Sequence, residues 1–147
     1  MFEINYKDGV CGISTKQATI CIDVENAEIE AGLNVGKIRG AGEFEIGEVS
    51  IVGMALGNSI VYTAEDDGIR IGVIGAADTN LDELGPIDIL VTSSIKAAKE
   101  IGPKIVIATD NAEKFAEELK VELKTEKHLK IKNAASLPAT LELYKLS

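Results

Sequence analysis

Over the first seventy residues apolar and polar positions alternate in short runs, the two-residue period of half-buried strands, and each run ends in a turn signal. Phe2-Glu3-Ile4-Asn5-Tyr6 and Val10-Cys11-Gly12-Ile13 flank Lys7-Asp8-Gly9. An Asp-Gly pair tolerates positive φ, so this pattern predicts a first hairpin. Residues 18–23 alternate again, with Ala18, Ile20 and Ile22 on one face and Thr19, Cys21 and Asp23 on the other, which predicts a third strand. Residues 24–42 are polar and carry Gly32, Gly36, Gly40 and Gly42, the composition of a connection with at most one short strand over 35–38. Two further hairpins are expected, one across Gly47-Glu48 and one across Asp66-Asp67-Gly68.

The second half changes period. Ile87-Asp88-Ile89-Leu90-Val91 and Ile105-Val106-Ile107-Ala108 are short and almost wholly apolar, as central strands covered on both faces are. Between them Ser94 is placed to cap a helix carrying Ile95, Ala98 and Ile101, which Gly102-Pro103 ends. After the second strand, Asp110-Asn111-Ala112-Glu113 reads as a capping pattern with Asp110 as N-cap. Ala112, Phe115, Ala116 and Leu119 then recur at helical spacing. Leu129-Lys130-Ile131 and residues 140–144 close the chain as strands, with Leu141 and Leu143 opposite Thr140, Glu142 and Tyr144.

Length and charge narrow the function. A chain of 147 residues suits a single domain, residues 1–147. Its net charge of −9 repels phosphate backbones and anionic membrane surfaces, so neither nucleic acid nor a membrane is expected as a partner. No apolar run approaches the ~20 residues a bilayer demands, and the start lacks the basic and apolar regions of a secretory signal, so a cytoplasmic location is expected. Two cysteines and one histidine fall short of the four N/S donors of a structural zinc, and a single histidine cannot supply the mostly histidine set of the usual catalytic zinc. A three-residue turn at Thr15-Lys16-Gln17 would set Cys11 opposite Cys21 and make a disulfide geometrically possible. In a reducing compartment both read as small core residues.

Several stretches, taken in order, resemble the metallo-β-lactamase superfamily, in particular its branch similar to L-ascorbate-6-phosphate lactonase and related Zn-dependent hydrolases. Ile20-Cys21-Ile22-Asp23 resembles that family's strand ending in Asp, and Gly40-Ala41-Gly42-Glu43-Phe44-Glu45 its Gly-Pro-Gly-Glu-Tyr-Glu segment. Residues 60–75 resemble the hairpin leading to its Leu-Gly-Asp motif. Residues 86–91 and 102–107 resemble its Val-Asp-Val-Leu and Pro-Lys-Ile-Val-Ile strands. The resemblance implies an α/β (α+β) fold, a shortened metallo-β-lactamase-like αββα sandwich of two mixed β-sheets with helices outside.

The departures concern the metals. The family's His-x-His-x-Asp-His cluster belongs between the Asp strand and the Gly-rich segment, and residues 24–39 contain no histidine. The Leu-Gly-Asp carboxylate falls on Ala76, with Asp78 two residues beyond, and the last family histidine falls on Asp110. His128 lies in a charged stretch and reads as a solvated surface residue. Asp78 and Asp110 together could hold a hard cation such as Mg²⁺ weakly, but a turn role for Asp78 and a cap role for Asp110 explain them as well.

Other chemistry finds less support. Gly40-Ala41-Gly42 begins like a dinucleotide fingerprint, yet a strand follows it where a helix is needed. Ser93 and Ser94 have no base close in sequence, and Glu43 and Glu45 read as a solvated face. Open α/β sheets bind ligands at the carboxyl ends of their strands, which here are residues 75–79, 92–94 and 109–111. The candidate ligand residues are therefore Asp78, Thr92, Ser93, Thr109, Asp110 and Asn111, with two helix N-termini nearby able to receive an anion. The expected function is a non-catalytic pseudoenzyme, metal-free and without a cofactor, in a binding or structural role. Its homo-oligomer, most simply a dimer, would hide apolar surface left by the missing segment. The rival is a residual Mg²⁺- or Mn²⁺-dependent hydrolase using Asp78 and Asp110, completed by another subunit where needed.

Overall fold

In the computed structural model, which describes residues 1–31, 37–56, 59–75 and 81–147, and Lys37 for its backbone alone, the alternating runs pair as successive hairpins. Strands β1 (Phe2–Lys7) and β2 (Val10–Ser14) turn through Asp8 and Gly9, at φ 51° and 83°, and set Ile4 opposite Ile13. β3 (Thr19–Asp23) follows through a turn of four residues, Thr15 to Ala18, one longer than expected. The Thr15 hydroxyl explains the extra residue: it accepts the backbone N–H groups of Gln17 and Ala18 at 3.2 and 3.1 Å, while Thr15 N–H donates to Ala18 O at 2.8 Å. The shift puts Cys11 opposite Ile22 and Cys21 opposite Gly12. Neighbouring register positions face opposite sides of a sheet, so the expected opposition of the cysteines is corrected, and both are free thiols.

The connection expected over residues 24–42 holds two short strands rather than one, β4 (Glu28–Ala31) and β5 (Lys37–Arg39). Position 35, where the single strand was expected to begin, lies outside the described residues. A meander follows: β6 (Gly42–Ile46), β7 (Val49–Leu56), β8 (Ser59–Asp66) and β9 (Ile69–Ile74), with Gly47, Asp67 and Gly68 at positive φ in its turns. The chain then alternates β10 (Ile89–Thr92), α1 (Ile95–Ile101), β11 (Ile105–Ala108) and α2 (Ala112–Leu119), and ends with β12 (Leu123–Glu126), β13 (Leu129–Ile131) and β14 (Glu142–Leu146).

The strands form two sheets. One is six-stranded and antiparallel throughout, in the order β13-β1-β2-β3-β4-β5. The other is eight-stranded and mixed, in the order β12-β14-β11-β10-β9-β8-β7-β6, with parallel pairing from β9 through β10, β11 and β14 to β12. Isoleucines of the first sheet (Ile4, Ile13, Ile20, Ile22, Ile29) meet those of the second (Ile51, Ile71, Ile89, Ile107) in the inter-sheet core. A second core, Leu90, Val106 and Leu143 against Ala97, Ala98 and Phe115, seals the helices onto the eight-stranded sheet. β10 and β11 are therefore buried at every position, as expected of central strands.

Ser94 caps α1 as its sequence predicts, accepting the Ala97 N–H at 3.1 Å, and Gly102 ends it in the left-handed conformation. Both described helices lie on the eight-stranded sheet. The outer side of the six-stranded sheet carries Glu3, Asn5, Thr19, Glu28, Glu30, Arg39 and Lys130, with Arg39 paired to Glu28 at 2.8 Å. Among the described residues the exposed large hydrophobe is Met1. No helix among them is long and apolar enough to cross a membrane.

Candidate functional site

The parallel strands β9, β10 and β11 all end at one edge of the sandwich, and the β1–β2 and β3–β4 turns of the other sheet reach the same edge. Between them lies a cleft of about 550 Å³. The eight-stranded sheet contributes Ser59, Ile60, Ile74, Gly75, Val91, Ser93, Thr109 and Asp110, and the six-stranded sheet Tyr6, Gly9, Val24, Glu25 and Ala27. A smaller cleft of about 340 Å³ adjoins it, sharing Tyr6, Thr109 and Asp110 and adding Lys7, Asn111, Glu113 and Lys145.

The β3–β4 turn is held by two devices. The Asp23 carboxylate accepts the backbone and side-chain N–H groups of Asn26 at 3.1 and 2.9 Å. From the opposite sheet, the buried Tyr62 hydroxyl lies 2.8 Å from Ala27 O and 3.1 Å from Gly40 O, while Gly40 N–H donates to Ala27 O at 3.1 Å. Gly53 allows this crossing, since a Cβ there would sit 2.9 Å from Gly40 O and 2.8 Å from the Tyr62 ring. Tyr6 and Thr109 line the same cleft, and Thr109 favours the ionised phenol. Burial, the largest cause, raises the Tyr6 phenol above its ordinary range, and the nearby Cys11, Asp110 and Asp23 add to the rise.

The strand-end loops predicted from sequence supply part of this wall. Ser93, Thr109 and Asp110 line the main cleft and Asn111 the smaller one. Thr92 is buried and its hydroxyl accepts the Ser94 N–H at 3.0 Å, a local turn contact away from both clefts. Asp78 lies outside the described residues. Asp110 is not the N-cap of α2, which corrects the expected capping pattern: Asn111 occupies that place at φ 50° and ψ 47°, with no side-chain cap. Asparagine tolerates the left-handed region, and the helix begins one residue later than a capping box at Asp110 requires. Asp110 remains exposed, accepting the N–H of its own neighbour Asn111 at 2.9 Å. Sequence reasoning missed Tyr6, Glu25 and Ser59. Their one signal is position beside a strand end or turn, which becomes informative only once the sheets are paired.

No protein-family model and no curated protein matches the sequence. Among solved structures, one from Thermotoga maritima matches over 99% of each chain with a TM-score of 0.72 and 18% identity, a protein assigned as a Zn-dependent hydrolase of the metallo-β-lactamase superfamily. The chain has the metallo-β-lactamase fold. Within that fold, the interval that the resemblance assigns to a histidine cluster begins with the pinned turn after Asp23 and continues into β4. The single histidine is elsewhere: His128 Nδ1 lies 3.4 Å from a Glu3 carboxylate oxygen. Glu3 is three residues from Tyr6 along β1, roughly 10 Å, and faces the outer side of the sheet. Cys11 belongs to the inter-sheet core. Among the described residues no group of three or more His, Cys, Asp or Glu side chains converges. The ionisable donors described in the main cleft are the oxygens of Glu25 and Asp110 and the Tyr6 phenol. That set does not fit zinc, which takes three or four closely placed ligands, mostly nitrogen or sulfur.

Proposed function

We propose that this is a non-catalytic, metal-free protein of metallo-β-lactamase fold that uses its strand-end cleft for binding. The reading is supported by a turn tied to Tyr62, in a stretch where the family resemblance would put histidines and this sequence has none, beside a cleft whose described ionisable donors are oxygens. A metallo-hydrolase depends on its ions to bring a bound water from a pKa of ~16 to about 7 and to stabilise the oxyanion. Two carboxylates without imidazole or thiolate are a poor donor set for zinc.

Metal analysis of purified protein after exposure to Zn²⁺, joined to a hydrolysis screen on phosphodiesters and lactones with Mg²⁺ and Mn²⁺, tests the reading. The expected result is zinc far below one ion per chain and no turnover. Stoichiometric, tightly held metal, or hydrolysis abolished by Asp78→Ala or Asp110→Ala, would establish the rival hydrolase.

A further inference from the structure

Where the chain passes from β5 to β6, both sheets end in open strands. Among the described residues β5 closes the order of the six-stranded sheet and β6 that of the eight-stranded sheet. Gly40 N–H donates to Ala27 O at 3.1 Å, so residues 27 and 40 form a hydrogen-bonded pair, and Ile29 with Ile38 is the next such pair. Lys37 and Arg39 therefore turn their backbone N–H and C=O groups away from β4. The β6–β7 turn holds two residues, so Ile46 and Val49, which close it, are hydrogen-bonded, as are Phe44 and Ile51. Glu43 and Glu45 thus turn their backbone groups away from β7.

The two open edges agree in direction and level. Ala18, just before β3, lies against Gly47, just before β7, while Val24, just after β3, lies against Gly75, just after β9. β3, and with it β5, hence runs in the sense of β7 and β9, and β6 runs the opposite way. Gly40 O lies 2.9 Å from where a Cβ of Gly53 would stand, and Gly53 pairs with Gly42. Counted from that level, Arg39 is level with Glu43, Ile38 with Phe44 and Lys37 with Glu45.

Their charges are opposite. β5 reads Lys37-Ile38-Arg39, whereas β6, β7 and β8 contain no lysine or arginine. Arg39, Glu43 and Glu45 are exposed, and neither glutamate makes an ion pair among the described residues. Ile38 and Phe44 are partly buried against the inter-sheet core.

We infer that the protein forms a two-fold dimer in which β5 of one protomer pairs antiparallel with β6 of its partner, and β6 with β5. A two-fold axis along the strands, between the layers, joins each six-stranded sheet to the partner's eight-stranded sheet with both outer faces on the same side. It sets Arg39 opposite the partner's Glu43, Lys37 opposite the partner's Glu45, and Ile38 beside the partner's Phe44 on the core side. Each junction gains about four backbone hydrogen bonds, because both charged pairs fall where open groups face one another. An axis along the sheet normal would pair β6 with β6 and β5 with β5, opposing like charges that antiparallel neighbours disfavour. Arg39 also holds Glu28 at 2.8 Å, and its guanidinium has donors for both carboxylates. The dimer does not depend on the role proposed for the cleft.

Sedimentation across the micromolar range tests the inference, on the wild-type chain and on Glu43→Arg, Arg39→Glu, the double variant that swaps the two charges, Glu45→Pro and Glu117→Arg. Proline at position 45 removes a donor of the open edge and spares the intrachain ladder, and Glu117, exposed on α2, is the control. Expected is a species of twice the 15.6 kDa chain. Each charge reversal and Glu45→Pro should weaken association about tenfold or more, the swap should recover it, and Glu117→Arg should leave it unchanged. Circular dichroism checks that every variant is folded. Amide exchange adds a residue-level readout: protection of Arg39, Glu43 and Glu45 should fall on dilution while that of Phe44 persists. A monomer throughout the range overturns the inference. A dimer indifferent to Glu43→Arg and Glu45→Pro uses another surface and overturns it too, as does equal weakening by Glu117→Arg. Both reversals weakening association with no recovery in the swap would show that Arg39 and Glu43 do not face each other, which overturns the pairing.

Discussion

The six-stranded and eight-stranded sheets share one core and differ in how their outer faces are finished. Strand β3 alternates strictly, with Ile20 and Ile22 buried and Thr19 exposed, so its outer side meets water through polar groups. β10 and β11 are buried throughout because α1 and α2 cover them. A sheet built from consecutive hairpins can leave one face solvated, whereas parallel strands require crossovers that place helices on a face. The same difference locates the cleft: parallel strands all end at one edge, and their loops gather there. The antiparallel sheet contributes only the turns that happen to reach that edge.

The largest expected effect tests the covered face. Phe115 is fully buried beneath α2, and Phe115→Ala should destabilise the protein by about 3–5 kcal/mol. Thr19→Ala, on the solvated face of the other sheet, should cost no more than about 1 kcal/mol. Urea denaturation of both variants measures the contrast; similar losses would mean that the two outer faces are not finished as described.

Legibility in the sequence follows the same division. Turns with their own chemistry were readable, since Asp8-Gly9, Gly47 and Asp67-Gly68 adopt positive φ where the chain reverses. The buried strands and the Ser94 cap were readable for equally local reasons. What escaped depends on partners far along the chain. β12 is a polar edge strand that exists through its pairing with β14, and β4 and β5 carry few apolar residues to mark a period. The Thr15 hydroxyl added one residue to a turn and so moved the cysteines to opposite faces. In the site, the loops after β10 and β11 were predictable from the rule for open sheets. Tyr6 and Glu25 arrive from the other sheet, and no local pattern announces them.

The alkaline limit probes the shared core from both layers. Burial, with a small addition from Cys21, pushes the Cys11 thiol of the six-stranded sheet up to about 12 from 9.0. Burial, then the Glu142 carboxylate, pushes the Tyr144 phenol of the eight-stranded sheet up to about 12 from 10.0. In both cases the unfolded chain loses its proton first, so the folded state binds more protons and stability falls as pH rises. The contribution is complete below pH 9 and is lost between about 9 and 12 for Cys11 and between about 10 and 12 for Tyr144. Denaturation midpoints measured across this range should fall, with Cys11→Ala flattening the early part and Tyr144→Phe the later part. A flat profile in the unmodified protein would refute the account.

A smaller effect is expected where the sheets are tied together. Tyr62→Phe keeps the buried ring and removes the hydroxyl shared by Ala27 O and Gly40 O, so Gly40 O loses that donor and Ala27 O keeps the Gly40 N–H. The loss should be about 1–3 kcal/mol. Hydrogen exchange adds a spatial readout, because protection should drop in the β3–β4 turn and around Gly40 more than in β10 or β11. Uniform loss of protection would mean that Tyr62 stabilises through its ring alone.

The finest comparison lies between the two helix starts, which look alike in sequence. Ser94 spends its hydroxyl on the Ala97 N–H, so Ser94→Ala should cost about 1 kcal/mol. Asp110 precedes the other helix but accepts only the N–H of Asn111 and leaves the first turn uncapped, so Asp110→Ala should change stability by no more than about 0.5 kcal/mol. Equal losses in chemical denaturation would restore Asp110 to the cap assigned by its capping pattern. A near-silent Asp110→Ala fits an exposed carboxylate that lines both clefts and whose described hydrogen bond is to its own neighbour, so the fold does not need it.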